Sequence, residues 1–178
     1  MTTRRDSGAA IERAIAAGDW KKARKLIQTH LRRDPNDHWL LSRMALTYYE
    51  QRQYRRALKF DLMAFKIAPY CPLAIWGYAG SLEMLGSGKK ALQLYRRLLN
   101  RGEKNLAYGE CGEGLRAARS LIADCHYRIA RIFEKIGHRK RSLAAFASYI
   151  SMRQQGARSI YSLRDAKARY MNLIGKTR

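Results

Sequence analysis

Apolar residues recur along the chain at intervals of three and four, the spacing that places them on one face of an α-helix. Polar residues, Gly and Pro interrupt this pattern at regular points, where helices begin and end. The pattern therefore predicts an all-α fold with helices over 7–17, 20–33, 38–51, 54–67, 72–85, 88–100, 115–136, 139–154 and 159–174.

Small residues repeat with a fixed period. Ala23, Ala57 and Ala91 are 34 residues apart, and a step of 51, which is 34 plus an insertion of 17, brings Ser142 into the same register. The preceding helices repeat a small residue at Ala45, Ala79 and Ala130. The turn before the first set carries Gly18, Arg52, Gly86 and Gly137, and the next helical turn carries Ile27, Asp61, Tyr95 and Phe146. A small side chain lets two helix axes approach closely, so these positions are expected where helices cross.

A helix-turn-helix unit of 34 residues with small residues at the crossing and a closing proline, as at Pro35 and Pro69, resembles the tetratricopeptide repeat. The resemblance covers about residues 5–155 and is strongest from His38 to Cys71. It implies a right-handed superhelical solenoid of about four repeats in a single domain, 1–178. The implied parts are repeats 5–37, 38–71, 72–100 and 121–155, an insertion at 101–120 and a capping helix at 159–174. Ile160, Leu163, Tyr170 and Ile174 form the expected apolar set of the cap.

In tetratricopeptide proteins, the leading helix of each pair lines a concave groove that receives a peptide or a partner helix. The resemblance places these residues in such a groove: Trp39, Ser42, Arg43, Leu46, Tyr49, Trp76, Gly77, Gly80, Glu83, Tyr127, Arg128 and Arg131. Trp, Tyr and Arg dominate binding hot spots because they combine a large area with directional hydrogen-bond donors. The alternative is that the aromatic residues pack between neighbouring helices. The Asn used by the carboxylate-binding version of this groove is absent from the set, which argues against specific capture of a chain terminus.

Pairs of basic residues begin the second helix of every repeat. The pairs are Lys21-Lys22, Arg55-Arg56, Lys89-Lys90 and Lys140-Arg141. A cation at a helix start is disfavoured by the helix dipole, so helical stability does not explain them. The common register predicts a basic ridge that attracts phosphates or an acidic protein, and the alternative is a solvated charged face.

The insertion at 101–120 contains Gly109, Gly112 and Gly114, which permit tight turns, and acids in a basic chain at Glu110 and Glu113. These acids are expected to pair with Arg128 or Arg131 at the groove mouth or to receive a basic ligand group. A turn followed by a helix cap is the alternative.

A catalytic or metal-binding role for the insertion would draw on Glu110, Cys111, Asp124, Cys125 and His126. Cys125 and His126 are adjacent on one helix and so point about 100° apart, which argues against a nucleophile and base pair. No pair of Cys or His residues has the spacing of a metal site, so no metal and no cofactor are predicted. His126 occupies a register filled by Leu41 and Ile75 in earlier repeats, which favours a packed His.

The charge is abnormal for a chain of 178 residues: 36 Lys and Arg against 14 Asp and Glu give a formal net charge of +22. Such a charge favours association with polyanions or acidic proteins. Three cysteines at irregular spacing favour reduced thiols in a cytoplasm, and neither a secretory signal nor a membrane span is predicted. The sequence therefore favours a non-enzymatic scaffold that binds a protein or peptide, with acidic character, in its groove. The alternative is a nucleic-acid-binding scaffold that uses the ridge on RNA or DNA backbones.

Overall fold

The computed structural model describes residues 4–175, and the regular structure in this range is entirely helical. The helices are α1 Arg4–Ala16, α2 Trp20–Leu31, α3 His38–Glu50, α4 Tyr54–Ile67, α5 Pro72–Met84, α6 Gly88–Tyr108, α7 Leu115–Lys135, α8 Arg139–Gln154 and α9 Leu163–Gly175. The all-α prediction is confirmed, and most helix limits fall within a few residues of the predicted ones. The outermost residues of the predicted domain, 1–3 and 176–178, lie outside the described residues. Within residues 4–175, no helix combines the length and the apolar character needed to cross a lipid bilayer.

The small residues of the repeat lie where helices pack. Ala23, Ala57, Ala91 and Ser142 are fully buried near the starts of α2, α4, α6 and α8. Ser142 also donates a hydrogen bond from Oγ to the carbonyl oxygen of Ala130, 2.9 Å away on α7. Side chains of this size leave room for close contact between helix backbones, which explains the 34-residue period.

Tight turns of one kind reverse the chain between the paired helices. The turn residues Gly18, Arg52, Gly86 and Gly137 all have positive φ, at 69°, 58°, 83° and 76°. This left-handed conformation ends a helix and suits glycine, because a Cβ atom is sterically disfavoured there. Arg52 is therefore the exception in the series.

Polar caps and proline fix the starts of several helices. The Asp19 side chain accepts a hydrogen bond from the backbone N–H of Lys22 at the start of α2, and Asp37 accepts from Trp39 and Leu40 at the start of α3. Pro72 occupies the first turn of α5, where its missing N–H costs nothing. These residues account for the predicted helix limits.

The chain forms two compact units, which meet in sequence at Ser87 and Gly88. Unit 1 contains α1–α5, with core clusters around Ile27 and Met44 and around Leu41 and Ala64. Unit 2 contains α6–α9, and its largest fully buried side chains are those of Tyr95, Phe146 and Tyr149. The two helices of the predicted third repeat, α5 and α6, belong to different units.

The insertion at 101–120 is mostly helical. α6 is interrupted at Gly102, where φ is 73° and ψ is 161°, and then resumes as far as Tyr108. Leu106 and Ala107 are buried, and Arg119 Nε pairs with Glu103 Oε1 at 3.0 Å. The non-helical part of the insertion is therefore reduced to a turn over 109–114.

The C-terminal cap differs from its predicted apolar pattern. The helix begins at Leu163 rather than 159, and its buried side chains are Ala166 and Leu173. Ile160 lies before the helix and is 75% exposed, while Ile174 is 42% exposed. The prediction for these two isoleucines is wrong because 155–162 is not helical, which shifts the buried face.

Candidate binding surfaces

The basic ridge consists of eight side chains that share one structural position. Each pair occupies the second and third residues of α2, α4, α6 or α8, and all eight side chains are exposed. The members are Lys21, Lys22, Arg55, Arg56, Lys89, Lys90, Lys140 and Arg141. None of the four helices has an acidic residue in its first turn. The positive end of each helix dipole therefore adds to the positive charge of each pair.

Two ridge arginines are ordered by aromatic rings. The Arg56 guanidinium carbon lies 5.8 Å from the ring centroid of Tyr48, and that of Arg141 lies 5.7 Å from the centroid of Phe133. Arg141 follows Arg56 by 85 positions, and Phe133 follows Tyr48 by the same number. This separation is one period of 34 plus one step of 51. The same cation–π contact is thus built once in each unit.

A second arginine lies over each of these two rings. Arg24 is 4.9 Å from the Tyr48 centroid, and Arg96 is 5.7 Å from the Phe133 centroid. Arg24 lies on α2 and Arg96 on α6, in each case the helix before the one that carries the ring. Each unit therefore holds two guanidinium groups against one aromatic side chain.

The groove residues predicted on α3 lie along one face of that helix. Trp39, Arg43, Leu46 and Tyr49 are half-buried, whereas Ser42 is buried and donates from Oγ to the His38 carbonyl oxygen at 2.8 Å. Arg43 lies over the Trp39 ring at 5.2 Å. Its Nε also forms an ion pair of 2.5 Å with Glu12 Oε1 on α1. The charge of Arg43 is therefore partly neutralised inside unit 1.

The groove residues predicted on α5 belong to the same unit. Trp76, Gly77 and Glu83 are half-buried and Gly80 is buried, and α5 packs against α3 and α4. Unit 1 thus brings the predicted residues of α3 and α5 onto neighbouring helices, and their role in a groove stays a prediction.

Of the groove residues predicted on α7, Tyr127 is covered by the chain itself, whereas Arg128 and Arg131 are half-buried. Tyr127 is only 6% exposed and stacks on Tyr161, with ring centroids 4.1 Å apart. Its hydroxyl donates to Asp165 Oδ2 at 2.6 Å and accepts from Arg131 Nη1 at 3.4 Å. Arg128 donates from Nε to the hydroxyl of Tyr95 at 3.1 Å. Tyr127 therefore offers no open surface in this structure.

The acids of the insertion project from the turn at 109–114. Glu110, Cys111 and Glu113 are exposed, and Cys111 has a φ of 56°. The expected pairing of these acids with Arg131 is not observed, because Arg131 Nε pairs with Glu134 Oε2 at 3.2 Å.

Cys125 and His126 do not form a reactive pair. Cys125 is fully buried, and that burial, with the neighbouring Asp124 charge, raises the pKa of its thiol well above its usual value. Burial lowers the pKa of His126, which is half-buried as expected for a packed side chain. A thiol that stays protonated away from solvent is a poor nucleophile.

Two buried carboxylates were not predicted from the sequence. Asp61 is a residue of α4 whose side chain faces α5. Its Oδ2 accepts a hydrogen bond of 2.5 Å from Ser81 Oγ on α5. Burial raises its pKa to about 7, and the Ser81 hydrogen bond partly opposes that shift. Asp124 on α7 accepts from Ser159, and burial raises its pKa to about 6. A polar residue at an otherwise apolar register position was the available signal for Asp61.

Comparison with known structures defines the class of fold. A crystal structure of MamA protein aligns with 95% of this chain and 85% of its own, at 16% identity and a TM-score of 0.64. A tetratricopeptide repeat protein from Parabacteroides merdae aligns with 97% of this chain and 73% of its own, at 17% identity and a TM-score of 0.52. The chain therefore has a fold of the tetratricopeptide-repeat type. The sequence matches no protein-family model and no curated protein.

Proposed function

We propose that this protein is a non-enzymatic interaction scaffold that binds an acidic segment of a partner protein. One observation carries the proposal: among the side chains that the structure describes, those of residues 8–175, no acidic group forms an ion pair with any of the eight exposed cations of the basic ridge. Arg56 donates only to the neutral Gln53, at 2.9 Å. A set of cations repeated at each helix start, and left without internal counter-charges, favours a ligand that supplies the negative charge.

The half-buried aromatic face of α3 and α5 supplies the second part of this proposal. Trp39, Leu46 and Trp76 retain partly accessible apolar surface on neighbouring helices of unit 1. In our proposal the ridge attracts the acidic segment, and this groove contacts its apolar side chains. Electrostatic attraction of this kind raises the association rate more than the affinity, so the apolar contacts give the complex its lifetime.

A scaffold for nucleic-acid backbones is the second candidate, because phosphates could also neutralise the ridge. If about six phosphates were contacted, the logarithm of affinity would fall with the logarithm of salt concentration at a slope of about −5. A partner captured through RNA or DNA would be lost on treatment with nuclease, which separates the two candidates.

Affinity capture with two charge-matched variants tests the proposal. The ridge variant changes Arg55, Arg56, Lys89 and Lys90 to Glu, and the control variant changes the exposed residues Lys59, Lys66, Lys104 and Lys167 to Glu. Both variants alter two residues in each unit and lower the net charge equally. We expect the wild type and the control variant to retain the same partner protein after nuclease treatment, and the ridge variant to lose it. Equal capture by all three proteins would contradict a role for the ridge.

A further inference from the structure

The segment between α8 and α9 binds to unit 2 in the manner of a peptide. α8 ends at Gln154, Gly156 follows it with a φ of 89°, and residues 157–162 contain no regular helix. Side chains of Ser159 and Tyr161 contact α7 and α8, while the intervening Ile160 is 75% exposed. The chain bends at 160 and 161, and the backbone N–H of Tyr161 donates to Ser159 Oγ at 2.9 Å, so the segment presents both contacting side chains from a turn.

Ser159 makes the polar contacts of this segment. Its Oγ donates to Asp124 on α7 and accepts from the hydroxyl of Tyr149 on α8, 3.1 Å away. Asp124 also accepts a hydrogen bond from the backbone N–H of Ile160. A buried carboxylate at the bottom of the site thus receives two donors from the segment, one of them from the backbone.

Tyr161 makes the aromatic contact. Its ring stacks on that of Tyr127, with an interplanar angle of 8°, and its carbonyl oxygen accepts from the Tyr149 hydroxyl at 2.6 Å. The single proton of the Tyr149 hydroxyl is therefore shared between two acceptors of the segment, the Tyr161 carbonyl oxygen at 2.6 Å and Ser159 Oγ at 3.1 Å.

The contacted face of α7 is equivalent to the groove face of α3. Tyr127, Arg128 and Arg131 follow Ser42, Arg43 and Leu46 by 85 residues, and Asp124 follows Trp39 by the same number. The segment thus covers in unit 2 the helix face that the repeat register assigns to ligand contact.

Apart from the stacked ring of Tyr161, the segment has no large apolar side chain that anchors it. Ile160 and Met171 are 75% and 62% exposed, and the buried side chains of α9 are Ala166 and Leu173. Arg139 fixes the end of α9 through hydrogen bonds to the carbonyl oxygens of Leu173 and Ile174, at 2.6 and 3.0 Å. Polar contacts of this kind can be replaced by those of an equivalent ligand, so exchange of the segment is physically reasonable.

We infer that the face formed by Asp124, Tyr127 and Tyr149 is a peptide-binding site whose resident ligand is the chain's own segment 157–162. Its external ligand is a linear peptide with a hydroxyl residue followed, two positions later, by an aromatic residue. The resident segment competes with that peptide and lowers its apparent affinity, because only the opened fraction of the protein is competent to bind. The inference is independent of the acidic partner proposed above, since it uses neither the ridge nor unit 1.

Binding of a labelled peptide with the sequence of residues 156–163 to the full-length protein tests this inference. A full-length variant carrying Ser159→Ala and Tyr161→Ala weakens the resident segment, and we expect it to bind the peptide at least about tenfold more tightly than the wild type. Ile160→Ala, which changes an exposed side chain in the same segment, serves as the matched control and should bind like the wild type. Adding Asp124→Asn to the open variant should abolish the gain, because Asn replaces the charged acceptor. Equal affinity of the wild type and a folded open variant would overturn the inference.

Hydrogen exchange on the wild type decides the question even if the open variant does not fold. Excess peptide should reduce the protection of the backbone amides of Ile160 and Tyr161, whose N–H groups bond to Asp124 and Ser159. Unchanged protection at saturating peptide would also overturn it. Failure here would leave the capture experiment on the ridge unaffected, because the two use different ligands and different residues.

Discussion

Asp61 occupies a core position that Ile27, Tyr95 and Phe146 fill in the other repeats. It is buried, and an ideal Cβ placed on Gly77 of α5 would lie 2.4 Å from its Oδ1. Ser81, one helical turn beyond Gly77, donates the hydrogen bond to its carboxyl group. The absence of a side chain at Gly77 thus makes room for a polar group in the core, and Ser81 satisfies one of its oxygens.

We predict that Asp61 makes the stability of the protein depend on pH. Its pKa is raised from 3.8 to about 7 in the folded protein, so the folded state binds this proton more tightly than the unfolded state. The resulting contribution to the free energy of unfolding is fully present below about pH 4 and is lost as the pH rises through 7. Asp61→Asn removes this titration while keeping the shape of the side chain. The difference in unfolding free energy between the two proteins should shift in favour of Asn by about 4 kcal/mol from pH 4 to pH 8. Denaturant unfolding across this range measures it, and parallel curves for the two proteins would contradict the assignment.

The repeat register predicted which residues are buried, but not which hydrogen bonds a buried polar residue receives. Ala23, Ala57 and Ala91 could be placed in the core because the 34-residue period repeats them. Asp61 shares that period with apolar residues, so its position was predictable from the sequence. Its raised pKa was not, because it depends on the distance from solvent and on Gly77 and Ser81 of the next helix.

At the scale of elements, Arg52 is a residue with a side chain in a turn that otherwise uses glycine. Its φ of 58° lies in the left-handed region, which costs a residue with a Cβ about 1 kcal/mol or more. We predict that Arg52→Gly stabilises the protein by about 0.5 kcal/mol or more, because relief of this strain exceeds the added flexibility of the unfolded chain. Thermal and denaturant unfolding would measure the change.

The equivalent glycine provides the control for that prediction. Gly86 has a φ of 83°, and an added Cβ there would meet no atom within 4 Å. Gly86→Ala should therefore destabilise the protein through backbone strain alone, by about 1 kcal/mol. If Arg52→Gly also destabilised the protein, strain would not be the dominant energy at this turn.

Helix limits were predictable where a local residue sets them, as Asp37 and Pro72 do. The extension of α6 beyond Gly102 was not, because a glycine with positive φ is the usual end of a helix and here only interrupts one. The stacking of Tyr161 on Tyr127 could not be predicted either. Tyr161 lies in a segment that belongs to no repeat, so its contact with a distant residue leaves no periodic signal in the sequence.

At the scale of the whole molecule, the net charge of +22 is concentrated in part at repeated positions. The four pairs of the basic ridge occupy helix starts, where the dipole disfavours them, and no acidic side chain of residues 8–175 forms an ion pair with their charged groups. The repeat explains why the pairs are equivalent, whereas we propose that a negatively charged ligand explains why they are basic. The identity of that ligand was beyond the sequence, because carboxylates and phosphates satisfy the same cations.

Binding of a purified, labelled peptide rich in Asp and Glu, followed by fluorescence anisotropy at about 50 and 200 mM salt, tests the central claim most directly. The account predicts that the wild type and the control variant bind with similar affinity, that both weaken as salt rises, and that the ridge variant loses at least about tenfold in affinity at low salt. Equal weakening of the ridge and control variants would contradict it, since the attraction would then come from net charge alone.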